Sequence, residues 1–332
     1  MKFLNDEEIT PPPGILSSIK SGFDITANQI WIILFPVLLD LFLWLGPHLE
    51  VNKLLSTVIK QFDTLANEGL VPVAEIQRVQ ESLSELLSLN INLLSILRTF
   101  PIGVSSLMGQ TVSSGTPLGN PTVYQVESAF AFFLWVSGLT FLGWILGSLY
   151  FAWVAKASLQ DKEQNLVWAG KAVIQATLLA IIWLIALFAF GTPLLLLFSI
   201  FAQINASLAQ VALIFLALFA MWIIVPIFFS AHGIFAKKEN LFRSLLSSFH
   251  LSRFTLPTSS FFVISVIILS QGFNFLWLTP SSSSWMMLVG ILGHAFITTA
   301  LLAASFIYYR DMNVWLEVLL EKLESKTTSA QV

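Results

Sequence analysis

The chain has 332 residues, 56% of them hydrophobic and only 11% charged, with 29 Phe and 11 Trp. A soluble domain carries roughly 25% charged residues, so this composition excludes a soluble globular protein and indicates an all-α integral membrane protein. A formal net charge of −3 leaves no basic field for nucleic acid, and the lack of cysteine excludes disulfides, thiolate chemistry, iron–sulfur clusters and Cys-ligated zinc.

The first ten residues are acidic (Asp6, Glu7, Glu8) rather than a basic n-region. The first apolar stretch is therefore expected to stay as an anchor. Residues 1–29 read as a tail plus an interfacial helix, with Ile15, Ile19 and Phe23 on one side of Gly14–Ala27. A spanning helix needs about 20 mostly apolar residues. Ile30–Pro47 is a first, short span, and residues 48–125 form a long excursion. The remaining spans fall in 126–310: Glu127–Ala155, Ala172–Ala202, Ala206–His232, Thr258–Leu278 and Trp285–Tyr309. Gly191-Thr192-Pro193 predicts a kink, or else Pro193–Ala202 is a short re-entrant piece. Glu239–Phe254 predicts a second interfacial helix, and Asp161–Lys171 a shorter one. Residues 311–332 continue as an amphipathic tail that frays from Ser325.

Orientation follows from Lys and Arg placement. With the N-terminus in the cytoplasm, the inside segments hold Lys2, Lys20, Lys156, Lys162, Lys171, Lys237, Lys238, Arg243, Arg253, Arg310, Lys322 and Lys326. The other four (Lys53, Lys60, Arg78, Arg98) lie in the long 48–125 loop, and long loops translocate largely regardless of charge. The expectation is six transmembrane helices in the plasma (inner) membrane, both termini cytoplasmic, with cytoplasmic interfacial helices.

Within the outer loop, Val51, Leu54, Leu55, Val58, Phe62 and Leu65 recur at helical spacing. Gly69 stops that helix, and Pro72 opens a second with Ile76, Val79, Leu83, Leu86, Leu87 and Leu94 in a stripe. The pair predicts an extracytoplasmic helical hairpin, which either lies on the membrane face and covers the bundle or forms a docking surface for a protein partner or a substrate. Thr99–Gln125, rich in Ser, Gly, Thr and Pro, reads as loop.

Phe42-Leu43-Trp44-Leu45-Gly46-Pro47 closes the first span, and Phe275-Leu276-Trp277-Leu278-Thr279-Pro280 closes the fifth. The match is either an internal repeat or the general preference for Trp at interfaces and Pro at helix ends. The lead-in Ile15–Phe23, the first-span end Leu39-Asp40-Leu41 and the Phe/Arg/Ser lead-in Phe242–Phe254 resemble a group of bacterial six-span membrane proteins. That group includes the membrane domain attached to some glycerophosphodiester phosphodiesterases. The resemblance covers the transmembrane pattern and not the hairpin. It implies no phosphodiesterase activity, because the soluble catalytic domain has no counterpart in the sequence.

Ionisable groups within spans are functional candidates. Asp40 in the first span and His294 in the sixth are at comparable depth. They either pair as a proton-sensitive or binding element, or are satisfied separately: Asp40 by water or the hairpin, His294 by neighbouring backbone. Glu127 suits a helix N-terminus. His48, His232, His250 and His294 are split between the two sides, so no metal site is expected, and His232 and His250 read as interface residues. Gly143 and Gly147 form a Gly-x-x-x-Gly pair that packs within the bundle or drives oligomerisation. Gln203, Asn205, Gln210, Gln271 and Asn274 cluster near outer ends, where they would line a vestibule. No phosphate-cradling loop or serine-nucleophile context is present. These features point to a non-enzymatic, cofactor-free scaffold or accessory subunit in the lipid bilayer. The alternative is a transporter or permease-like subunit for lipid or apolar solutes.

Overall fold

The computed structural model describes residues 11–67, 73–111, 115–160 and 166–330. The acidic start, the helix stop at Gly69, the helix start at Pro72 and the beginning of the Asp161–Lys171 segment lie outside them. The chain is nearly all helical. Its α-helices among the described residues are α1 (Ile15–Asn28), α2 (Leu34–Leu45), α3 (Asn52–Asn67), α4 (Val73–Ser88), α5 (Ala129–Leu159), α6 (Leu166–Ala186), α7 (Thr192–Ile204), α8 (Ala206–Ala236), α9 (Leu241–Trp277) and α10 (Met287–Ala330). Two short strands, β1 (His48–Glu50) and β2 (Val123–Gln125), pair in parallel with His48 opposite Val123. Composition did not announce them.

Five stretches are long and apolar enough to cross a membrane: Ala129–Leu159, Val167–Ile204, Ala209–Ala236, Leu241–Trp277 and Met287–Leu323. A sixth exists only if α1 and α2, separated by a sharp bend, count as one. The reason is length. At about 1.5 Å per residue, α2 alone reaches about 18 Å, short of a hydrocarbon core of about 30 Å.

Proline decides the shape of two spans. Ahead of Pro193 the helix widens into a π-turn at Leu187–Gly191 and then continues as α7. The bulge absorbs the missing donor and the ring clash of Pro193, so Pro193–Ala202 is continuous helix rather than a re-entrant piece. In α9, Thr255 leaves helical geometry (φ −123°, ψ 16°) two residues before Pro257. This break separates the expected lead-in from the expected span. The α10 helix runs to Ala330, beyond the fraying expected from Ser325.

The chain forms two compact units. The first takes in residues up to Ile32, Phe151–Ser270 and the chain from Thr298 onward. Its core is aromatic: Phe229, Phe262, Tyr308 and Tyr309 are fully buried, and Phe262 stacks on Tyr308 at 4.1 Å between centroids. Helix α1 turns a stripe of Ser18, Gly22 and Thr26 inward, and Gly22 lies directly against Ala300 and Ala304 of α10. Small residues at four-residue spacing allow that approach. Buried hydroxyls return their protons to helix carbonyls, as Ser252 does to Ser248 and Thr255 to Leu251. His232 is only 1% exposed. Its ring packs on Phe306, and its Nε2 meets Ser305 Oγ at 2.7 Å.

The second unit comprises Ile33–Tyr150 and Gln271–Ile297. Trp44 and Trp277, the matched tryptophans of the two Phe-Leu-Trp-Leu segments, close onto the stretch that leads into α10 and onto its first turns, respectively. Trp44 Nε1 donates to Ser282 O at 2.7 Å and its ring meets Trp285 edge-on. Trp277 covers Gly293, where a Cβ would come within 2.6 Å of the indole. Helices α3 and α4 pack on each other as a hairpin. Leu83 and Leu87 are half-buried, while Val79 and Leu86 of the same stripe stay exposed.

Candidate functional site

The loop after the hairpin does not run over a surface. Between Leu93 and Gln110 much of it is buried in the second unit: Ile102, Ser106 and Leu107 are fully enclosed, Leu97, Val104 and Met108 nearly so, while Arg98 and Phe100 stay exposed. Helix α5 accepts it through Gly143 and Gly147. A Cβ at Gly143 would lie 2.7 Å from Leu97 O, and one at Gly147 would lie 2.5 Å from Gly103 Cα. The Gly-x-x-x-Gly pair thus admits an irregular backbone segment rather than a partner helix. Gly147 is the nineteenth residue of α5, so the segment reaches about 27 Å along that helix from its first residue.

Irregular backbone beside apolar helices is tolerated only if its polar groups find partners inside the protein. Asp40 supplies them. Its Oδ1 accepts from Ser106 Oγ at 2.6 Å and from Met108 N at 2.9 Å, and its Oδ2 accepts from Leu107 N at 3.1 Å. These amides open the single 3₁₀ turn Met108–Gln110. A carboxylate 66 residues earlier in sequence therefore acts as its cap, since the unpaired amides at a helical start attract an anion. Ser106 Oγ also accepts from Gly109 N at 2.9 Å, and Trp144 Nε1 donates to Phe100 O at 3.4 Å.

The site also reaches His294. Gln110 Nε2 donates to Ser106 O at 2.9 Å. Asn274 Nδ2 faces Gln110 Oε1 at 3.4 Å and Gln271 Oε1 at 3.2 Å. Asn274 Oδ1 meets His294 Nδ1 at 2.9 Å, so Nδ1 carries the proton in that bond. Asp40 and His294 are thus joined through Ser106, Gln110 and Asn274, with the inserted segment between them. Asp40 is satisfied largely by backbone amides of the 48–125 excursion, and His294 by the Asn274 side chain at Nδ1. Asn274 and Gln271 belong to this network, whereas Asn205 caps α8 in the first unit through Ser207 N.

Sequence reasoning missed Ser106, Gln110 and Arg98. Arg98 is an exposed residue at the entrance of the inserted segment. Desolvation of its guanidinium lowers its pKa, and the negative charge of Asp40 opposes that shift. Glu127 pairs with Lys53 at 2.6 Å. Both are largely exposed, so the pair contributes little. Among the described residues, no three His, Cys, Asp or Glu side chains converge.

The two strands close the excursion at its base. Glu50 Oε2 accepts from Asn52 and Gln125, and Leu49 N donates to Asn92 Oδ1. His48 is buried here, and desolvation lowers its pKa against the opposing charge of Glu50. The unfolded chain therefore takes up this proton first, and stability is lost as pH falls through the ordinary imidazole range. We expect melting to shift downward between about pH 7.5 and 5.5 and His48→Asn to remove part of that shift. A variant with the same pH profile as wild type would show that His48 does not carry it. No family model, no curated protein and no solved structure matches the chain.

Proposed function

We propose that the protein is a non-enzymatic multi-pass subunit that holds the 48–125 excursion as a rigid docking module for a protein partner. The reading adds a plasma-membrane location with both termini cytoplasmic, supported by the Lys and Arg distribution. The observation that carries it is the capture of residues 106–108 by Asp40. It ties the excursion to the bundle at a buried point, so the hairpin is held rather than tethered. The hairpin keeps Val79 and Leu86 exposed one heptad apart, 37% and 41% accessible. That is the spacing with which a helix presents anchors to a partner groove.

The test is crosslinking and purification from the native membrane in mild detergent, comparing wild type with Val79→Asp/Leu86→Asp. Stoichiometric partners of the wild type should be lost in the variant, with melting unchanged. A wild type that purifies alone, or a variant that keeps its partners, overturns the reading. A permease-like role for lipid or apolar solutes is the second reading. It is favoured by the inserted segment, because non-helical backbone among spanning helices recurs at transport sites.

A further inference from the structure

A groove of about 730 Å³ opens in the first unit between the opening stretch of α9 and the end of α10. Its apolar wall is Leu246 from α9 with Leu316 and Leu320 from α10. Its polar wall carries two cations, Lys237 and Arg253, and two carboxylates, Glu239 and Glu317. The fixed charges of the lining therefore balance.

These charges are incompletely used within the chain. Lys237 Nζ donates to Asn313 Oδ1 at 2.9 Å and reaches Glu317 Oε1 at 3.4 Å, where both side chains are solvent-accessible. The Arg253 guanidinium lies 5.8 Å from the Phe254 ring centre and has no carboxylate partner among the described residues. Glu239 accepts from Ser247 through Oε1, while Oε2 is buried without a donor among the described residues. Leu246 of the groove wall is 69% exposed, and Phe242 of α9, outside the lining, is 72% exposed. An apolar face of this kind beside basic residues marks a helix that lies in the headgroup region of a bilayer.

We propose that this groove binds the headgroup of a zwitterionic phospholipid with a primary ammonium, the phosphatidylethanolamine class. Arg253 and Lys237 take the phosphate by charge-assisted hydrogen bonds. Glu317 and Glu239 take the ammonium, whose three donors match carboxylate oxygens. The acyl chains run against Leu246, Leu316 and Leu320. A purely anionic headgroup would leave its second face against the two carboxylates. A quaternary ammonium has no N–H for them and is normally held by an aromatic cage, to which this groove contributes one ring, Phe249. The assignment does not depend on the docking role of the hairpin.

The test is native mass spectrometry of the full chain in detergent, with equimolar dioleoyl phosphatidylethanolamine, phosphatidylglycerol and phosphatidylcholine. Phosphatidylethanolamine should be retained about tenfold over each of the others, the scale of one charge-assisted hydrogen bond. Glu317→Gln should erase the preference over phosphatidylglycerol, and Arg253→Gln should lower retention of all three lipids. Both side chains are exposed, so both variants should melt as wild type does. Equal retention of phosphatidylglycerol, retention of no lipid, or an unchanged preference in Glu317→Gln would overturn the proposal. Water-soluble glycerophosphoethanolamine should fail to displace the lipid at equal concentration. Displacement would assign the groove to a soluble phosphoamine instead.

Discussion

Asp40→Ala is expected to lower stability by about 3–5 kcal/mol and to free the inserted segment from the bundle. The carboxylate is fully buried and accepts from two backbone amides and one hydroxyl. Removing it strands those donors, and each buried donor left unpaired costs about 1–3 kcal/mol. The Ser106 hydroxyl can rotate toward another acceptor, but the amides of Leu107 and Met108 cannot leave without moving the chain. Asp40→Asn should cost less, because one oxygen remains while its new N–H₂ opposes an amide donor. The checks are thermal melting in detergent and hydrogen exchange over residues 98–111. Exchange there should rise in Asp40→Ala while the long helices stay protected. Ser106→Ala should be milder, because the two amide bonds to Asp40 persist. A variant that melts as wild type with the segment still protected would show that Asp40 does not hold it. If the docking reading is right, partner capture should fall with segment release although the hairpin surface is untouched.

Gly147→Val is expected to have the second-largest effect, and through the same segment. Even the Cβ of alanine would stand 2.5 Å from Gly103 Cα and 2.7 Å from Gly103 N. Backbone cannot yield as a flexible side chain does, so either the segment shifts or α5 does. Overpacking of this kind costs about 1–3 kcal/mol. Branching at Cβ should place Gly147→Val at the upper end, with Gly147→Ala below it. Melting and protease sensitivity near Gly103 should change together. The oligomeric state measured by light scattering should not, because the glycine pair is occupied within the chain. Loss of an oligomer with an unchanged segment would restore the helix-dimer reading of Gly143 and Gly147.

The long apolar helices and the helices leading into them were legible because apolar length and helical period are local properties. The pattern that separated Glu239–Phe254 from Thr258–Leu278 corresponds to the break at Thr255, and proline chemistry explains it. Val51–Leu65 and Val79–Leu87 announced α3 and α4 in the same way. Asp40, His294 and the glycine pair stood out because charge and small residues are rare in apolar helices. Their partners did not stand out. Residues 98–111 have the composition of a surface loop, and nothing in Ser105-Ser106-Leu107-Met108 signals burial. The enclosure of His232 was not legible for a related reason: its chain position near the end of an apolar helix gives no sign of the aromatic neighbours from α10 that surround it.

The sequence by itself determined a helical, membrane-type chain, the extent of its long apolar helices, the hairpin and the short list of polar residues within spans. Each of these depends on composition and period within about 20 neighbouring residues. Only the tertiary structure decided that the loop enters the second unit, that Gly143 and Gly147 receive it, and that Asp40 and His294 meet through Ser106, Gln110 and Asn274. Those outcomes depend on pairing buried backbone donors with acceptors far away in the chain.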